Sequence, residues 1–129
     1  LREALQQIMR PILDERVTPF VRQRFPEQCG GGRAGRACTP CSSLIRRYLP
    51  GERRSHDTHY DSHALVTVVV SLSDYGREYT GGLFLAAGRN ERHVLPLARG
   101  DAFVHQSDLY HGVKVDGGTR WSWILWYRP

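Results

Sequence analysis

His59, Asp61 and His111 are the residues of this chain whose types and spacing could do chemistry. Two imidazoles and one carboxylate are the ligand set of the facial triad that holds a non-haem ferrous ion and leaves positions open for other ligands. His59 and Asp61 are one residue apart, so on an extended strand both side chains point to one face and reach one ion. His111 sits in Leu109-Tyr110-His111-Gly112-Val113, where the glycine permits a close backbone path. Arg120 follows across Asp116-Gly117-Gly118, a hairpin signal that lays two strands side by side and lets His111 and Arg120 face one cavity. A guanidinium fork suits a bidentate carboxylate, so a small diacid beside the metal would account for Arg120.

Each residue also has a plainer reading. Asp61 could hold a turn or an ion pair, His111 could be a satisfied core histidine, and Arg120 could pair with an acid on a neighbouring strand. His56, His59 and His63 could share a helix face and bind zinc. That site needs a glutamate where Tyr60 stands, and a helix running into Val66-Thr67-Val68-Val69-Val70, a poor helix former. His56 and His93 read as ordinary surface histidines, and His63 and His105 are left without a role.

The elements that must position these residues are mostly strands. Residues 64–73 are rich in β-branched side chains and read as a buried strand. Further strand candidates are 44–48, 83–86, 92–96, 101–105, 110–115 and 120–127. They are separated by turn signals at Pro50-Gly51, Gly81-Gly82, Gly88-Arg89-Asn90, Arg99-Gly100 and Asp116-Gly117-Gly118. Many short strands at this spacing predict a jelly roll, the architecture to which cupins belong. Ahead of them, apolar residues recur at helical spacing from Leu5 to Phe25, interrupted by Pro11 and Pro19. This predicts a kinked helix, or two short ones, packed on the outside of a sheet. Residues 28–40 form a glycine-rich loop without the Gly-Lys-Ser/Thr ending of a phosphate loop. The 129 residues therefore read as one domain, with helical and loop support over 1–41 and a jelly-roll core over 42–129. Trp121, Trp123, Trp126 and Tyr127 read as core and sheet-face packing.

The net charge of +5 is uneven. Residues 1–54 carry eleven arginines against five acids, while 55–129 carry seven basic residues against eight acids. No basic run is interleaved with aromatics as a nucleic-acid platform requires, so no nucleic-acid partner is expected. No apolar run is long enough to span a bilayer. The chain starts at Leu1 and reads as a fragment or a processed product. Nothing in it sets a compartment or an oligomeric state. Of the three cysteines, Cys38-Thr39-Pro40-Cys41 could be redox-active or half of a zinc site. A Cys29–Cys38 or a Cys29–Cys41 disulfide is compatible with the sequence in an oxidising compartment.

The order of motifs adds a resemblance. Tyr48-Leu49-Pro50-Gly51-Glu52, His59-x-Asp61, Thr67, Gly81-Gly82-Leu83-Phe84, Gly100-Asp101-Ala102, His111-Gly112-Val113 and Gly118-Thr119-Arg120 occur together. In this order they resemble the 2-oxoglutarate- and Fe(II)-dependent dioxygenases, and most the prolyl 4-hydroxylase branch, over residues 44 to 129. The resemblance implies a double-stranded β-helix core with Fe(II) on His59, Asp61 and His111. It implies that Arg120, with a hydroxyl from Thr67 or Ser71, anchors the distal carboxylate of 2-oxoglutarate, with Tyr48 as a further hydrogen-bonding residue. Dioxygen is the co-reactant, succinate and CO2 are the products, and ascorbate is admitted as an auxiliary reductant. The expected substrate is a prolyl or other side chain of a peptide or protein. A small-molecule hydroxylase, or a metal-binding jelly roll that recognises peptide without turnover, are the competing readings. The polar segment Asp74–Thr80 is expected to form a mobile loop at the cavity mouth, with Tyr75 and Tyr79 touching substrate.

Overall fold

The computed structural model describes residues 1–32 and 36–129. The middle of the glycine-rich loop, 33–35, lies outside the described residues. Among the described residues, eight strands form two four-stranded antiparallel sheets. The strands are β1 (Thr39–Tyr48), β2 (Ser55–His59), β3 (Val66–Ser71), β4 (Tyr79–Ala87), β5 (Glu91–Val94), β6 (Ala102–Gln106), β7 (His111–Gly118) and β8 (Arg120–Arg128). One sheet has the order β1-β8-β3-β6 and the other β2-β7-β4-β5. This is the jelly roll predicted from the turn spacing. Strand β1 begins at Thr39, earlier than the apolar pattern suggested, because Thr39 and Pro40 pair with Arg128 and Tyr127 across a bulge. Strand β2 carries little β-branched character, and the sequence reading reached only its end, through the extended path expected for His59 and Asp61. It exists because Ser55, His56 and His59 pair with β7, which tertiary contact supplies and local propensity does not.

The alternation of β3 and β8 separates two environments. Val66, Val68, Trp123, Leu125 and Tyr127 point outward into a core with Val21, Cys29 and Cys38. Met9, Leu13, Val17 and Phe25 of the N-terminal segment pack against it. The helical stripe thus covers the outer face of the first sheet, as its spacing predicted. It runs as α1 (Arg2–Ile12), a π-helical turn (Leu13–Val17), α2 (Thr18–Arg24) and α3 (Pro26–Cys29). Pro11 removes one rung of α1, and the π turn follows directly after it. Cys29 and Cys38 form a disulfide across the glycine-rich loop, leaving Cys41 free and exposed. The Cys38–Cys41 zinc half-site therefore does not form. No helix among the described residues is long and apolar enough to cross a membrane.

The opposite faces of β3 and β8 look across to the second sheet. Val69 and Ile124 pack there with Tyr48, Tyr79, Leu83, Val113 and Val115. Between these residues and the strand ends lies a cavity, and the chemistry-bearing side chains converge on it.

Candidate metal centre and anion anchor

Two rows of side chains meet at one end of the cavity. In the second sheet, His59 at the end of β2 stands directly across from His111 at the start of β7. Their rings are 4.4 Å apart, centre to centre. In the first sheet, Thr67 of β3 is flanked by His105 of β6 and Trp126 of β8 at the same level. Asp61 lies between the rows, 3% exposed. Its Oδ1 faces His59 Nε2 at 3.1 Å and His111 Nε2 at 3.6 Å. Its Oδ2 accepts hydrogen bonds from the Thr67 hydroxyl at 2.7 Å and from Trp126 Nε1–H at 3.3 Å. The carboxylate is thus held by one oxygen and presents the other to two imidazoles.

Both imidazoles are oriented by backbone carbonyls. His59 Nδ1 lies 2.7 Å from the Asp57 oxygen and His111 Nδ1 lies 2.8 Å from the Leu109 oxygen. A carbonyl only accepts, so each Nδ1 carries the proton and each Nε2 offers a lone pair. Ligand atoms of His59, Asp61 and His111 all lie within 4.8 Å of one another. Locked tautomers, a carboxylate held from behind and convergent lone pairs fit a divalent metal of the facial-triad kind. Burial, the largest influence on Asp61, opposes ionisation. The Thr67 hydrogen bond, and the positive charge that His111, His105 and His59 carry when protonated, outweigh it and hold the carboxyl below the usual aspartate range.

The three residues come together by a different local route from the one the sequence suggests. Asp61 is not on a strand with His59: β2 stops at His59, and Asp61 sits in the following turn, where its carbonyl accepts from Ala64 N–H. The turn, not strand alternation, returns the carboxylate to the imidazole. Gly112 lets the strands close over this end, since a β-carbon there would collide with the Phe84 ring and approach the His56 carbonyl.

The other end of the cavity holds Arg120, which is 1% exposed. Its guanidinium lies between the rings of Tyr48 and Tyr79, 5.8 Å from each ring centre. Nη1 donates to the Ser122 hydroxyl at a long 3.4 Å, and Nε and Nη2 find no partner among the described residues. Burial pulls the Arg120 pKa down, with Tyr79 and Tyr48 opposing, yet an arginine stays charged in a protein. Unpaired buried donors on a cation are costly, and a carboxylate would satisfy them. This is the chemistry that the distal carboxylate of 2-oxoglutarate offers. Gly82, at φ +103°, permits the approach: a β-carbon there would run into the Tyr79 ring and touch Arg120 Cδ.

Several expected residues sit elsewhere. Thr67 is spent on Asp61 at the metal end and does not join Arg120. Ser71 is fully buried, and its hydroxyl donates to the Ser73 carbonyl, away from the cavity. Ser122 is the hydroxyl that reaches the guanidinium. Tyr48 does line the cavity and lies against Arg120. Tyr79 is 3% exposed, begins β4, and donates its hydroxyl to the Leu97 carbonyl. It lies against Arg120, and the Asp74–Thr80 segment follows the far end of β3 from Thr67. That segment is tied down by Glu78 to Arg99 at 2.7 Å and by Asp74 to the Arg99 backbone. Tyr75 is partly exposed and stacks edge-on against Tyr79.

Besides Ser122, three contributors were not foreseen. Trp126 is part of the carboxylate's support as well as of the sheet. His56 is half-buried in the cavity wall and is not a surface histidine. His105 is 4% exposed, donates Nδ1–H to the Gln106 carbonyl at 2.8 Å, and leaves Nε2 without a hydrogen-bond partner among the described residues, 3.8 Å from Asp61 Oδ2. Burial lowers its pKa. Its signal was present in the sequence: Phe103 and His105 alternate onto one face of a strand, and a histidine on an inward face needs a partner.

No family model matches the chain, and no curated protein sequence matches it. Solved structures do. An oxidoreductase of the 2OG-Fe(II) oxygenase family from Burkholderia pseudomallei aligns with a TM-score of 0.70 at 24% identity, over 95% of this chain and 55% of that one. A prolyl-4-hydroxylase from Pseudomonas putida aligns at 0.56 and 23% identity, over 67% of this chain and 50% of that one. A prolyl hydroxylase from Trichoplax adhaerens, solved with a peptide fragment of the hypoxia inducible factor oxygen degradation domain, aligns at 0.58 and 22% identity, over 76% and 49%. The chain spans about half the length of each of these proteins, and it shares with them the double-stranded β-helix fold.

Proposed function

We propose that this chain is a 2-oxoglutarate- and Fe(II)-dependent dioxygenase domain of prolyl 4-hydroxylase type, acting on a prolyl or other side chain of a peptide. The observation that carries the reading is the pairing of two unmet demands in one cavity. His59, Asp61 and His111 offer a metal three ligand atoms, and Arg120 offers a carboxylate two free donors. The solved prolyl hydroxylases of the same fold, one of them with a bound peptide, support the peptide over a metabolite.

When bound, ferrous iron and 2-oxoglutarate supply the oxidative chemistry that consumes dioxygen, releases succinate and CO2 and leaves a hydroxyl on the substrate. The chain does the rest. His59 and His111 would hold the ion with lone pairs whose direction is set by the Asp57 and Leu109 carbonyls. Thr67 and Trp126 occupy Asp61 Oδ2, so that Oδ1 is the oxygen that would face the ion. Arg120, stiffened between Tyr48 and Tyr79, would fix the far carboxylate and so orient the keto acid. Val69, Leu83, Val113 and Ile124 form an apolar wall that keeps water from the reacting atoms.

Succinate release from 2-oxoglutarate in the presence of Fe(II), with and without prolyl peptides, tests the assignment. The expected result is slow release without peptide, faster release with one, and none after chelation of the metal. Metal and peptide binding without succinate would identify a recognition module instead. Failure of the metal-loaded protein to bind 2-oxoglutarate would refute the reading.

A further inference from the structure

We propose that the cavity mouth recognises a negatively charged side chain of the peptide substrate, and that Arg46 is the residue that binds it; this rests on the dioxygenase reading. Strands β1 and β2 are the edge strands of their two sheets, and Arg46 of β1 and His56 of β2 line the cavity from those edges. Strand alternation puts Arg46 on the same inward face as Tyr48 and opposite Ser122, the hydroxyl that contacts Arg120. Its neighbour Arg47 points the other way and is paired with Glu52. Arg46 is half-buried and makes no hydrogen bond or ion pair among the described residues.

The charges of the loaded site leave Arg46 over. Asp61 is the carboxylate among the described residues lining the cavity, and His59, His111, Thr67 and Trp126 already engage it. The charges of a ferrous ion and Arg120 are matched by Asp61 and the two carboxylates of 2-oxoglutarate. The Arg46 guanidinium then has no counterpart in a partly desolvated position, where a charge gains most from a bidentate partner. What remains to enter the mouth is the substrate, and an acidic side chain beside the modified residue satisfies the arginine.

Binding is read without turnover. The protein is loaded with Mn(II) and 2-oxoglutarate under nitrogen and titrated in a calorimeter with two end-capped peptides, Gly-Glu-Pro-Glu-Gly and Gly-Lys-Pro-Lys-Gly. The acidic peptide should bind about tenfold more tightly, between the worth of an exposed and of a buried ion pair. Arg46→Gln should erase the preference, and Arg46→Glu should reverse it, with circular dichroism confirming that both variants fold. Equal affinities in the wild type, no binding by either peptide, or an acidic preference that survives in Arg46→Glu would overturn the proposal. Succinate release by the Fe(II)-loaded wild type without peptide is measured alongside. Its absence would sink the dioxygenase reading, while the binding order would still judge Arg46.

Discussion

The two ends of the cavity differ in how far the protein satisfies them by itself. At the metal end Asp61 Oδ2 has two donors, the Nδ1 atoms of His59, His105 and His111 all have carbonyls, Oδ1 is surrounded by imidazoles, and His105 Nε2 is the one buried side-chain atom left without a partner among the described residues. At the anchor end a buried guanidinium has one long hydrogen bond and two donors without partners. The first end is built as a network that stands ready for an ion. The second is a fixed positive charge between two tyrosine rings, incomplete until an anion arrives. Residues at the metal end should therefore serve both fold and ligand, whereas Arg120 should serve its ligand at the expense of the fold.

The largest effect tests the metal end directly. Asp61→Ala removes a ligand, and Fe(II) or Co(II) affinity should fall by more than about 100-fold, the upper end of the loss for a ligand's outer partner. Calorimetric titration of the metal reads this, and an affinity within a few-fold of wild type would move the metal elsewhere. The opposite end gives the sharpest contrast. Arg120→Met should weaken 2-oxoglutarate binding to the Mn(II)-loaded protein by roughly 2–5 kcal/mol. The same change removes an uncompensated buried charge, so the melting temperature of the metal-free protein should hold or rise. A fall of several degrees would show that Arg120 is satisfied after all and would erase the difference between the ends.

A smaller effect separates support from ligation. Thr67→Val keeps the shape of the side chain and deletes the hydrogen bond to Asp61 Oδ2. Metal affinity should fall by about 10- to 100-fold, while 2-oxoglutarate affinity at saturating metal stays close to wild type. Loss of cosubstrate binding instead would return Thr67 to the anchor. The smallest effect concerns His105. Burial holds its folded pKa below the unfolded value of about 6.5. Above that value the native and unfolded chains bind the same protons at this site, and below it the unfolded chain takes one up first. Stability of the metal-free protein should therefore decline as pH falls from 7 towards 5, by up to about 1.4 kcal/mol per unit from this residue. Thermal melts across that range should show a shallower decline in His105→Asn. An unchanged slope would mean that His105 is not what makes the metal end sensitive to acid.

The sequence by itself determined the parts with a local or periodic signature. The β-branched run at 66–70, the turn glycines and the apolar stripe from Leu5 to Phe25 announced two layers of sheet and a helical cover, because burial must follow strand and helix periods. The types and spacing of His59, Asp61, His111 and Arg120 announced a metal and an anion, because few other side chains do that chemistry. Only the tertiary structure decided which hydroxyl serves which charge. Thr67 and Ser71 lie on one face of one strand, yet Asp61 captures the first and the Ser73 carbonyl the second. Ser122, on another strand, reaches Arg120. Tyr79 likewise reads as a polar loop residue, yet it begins β4 and lies buried against the guanidinium, with Gly82 leaving room for its ring. The pairing of Cys29 with Cys38 over Cys41, the place of Asp61 in a turn and the inward aim of His105 and Trp126 belong to the same class. A hydrogen bond is settled by whichever partner comes within about 3 Å, and that proximity joins residues far apart along the chain, where no spacing rule reaches.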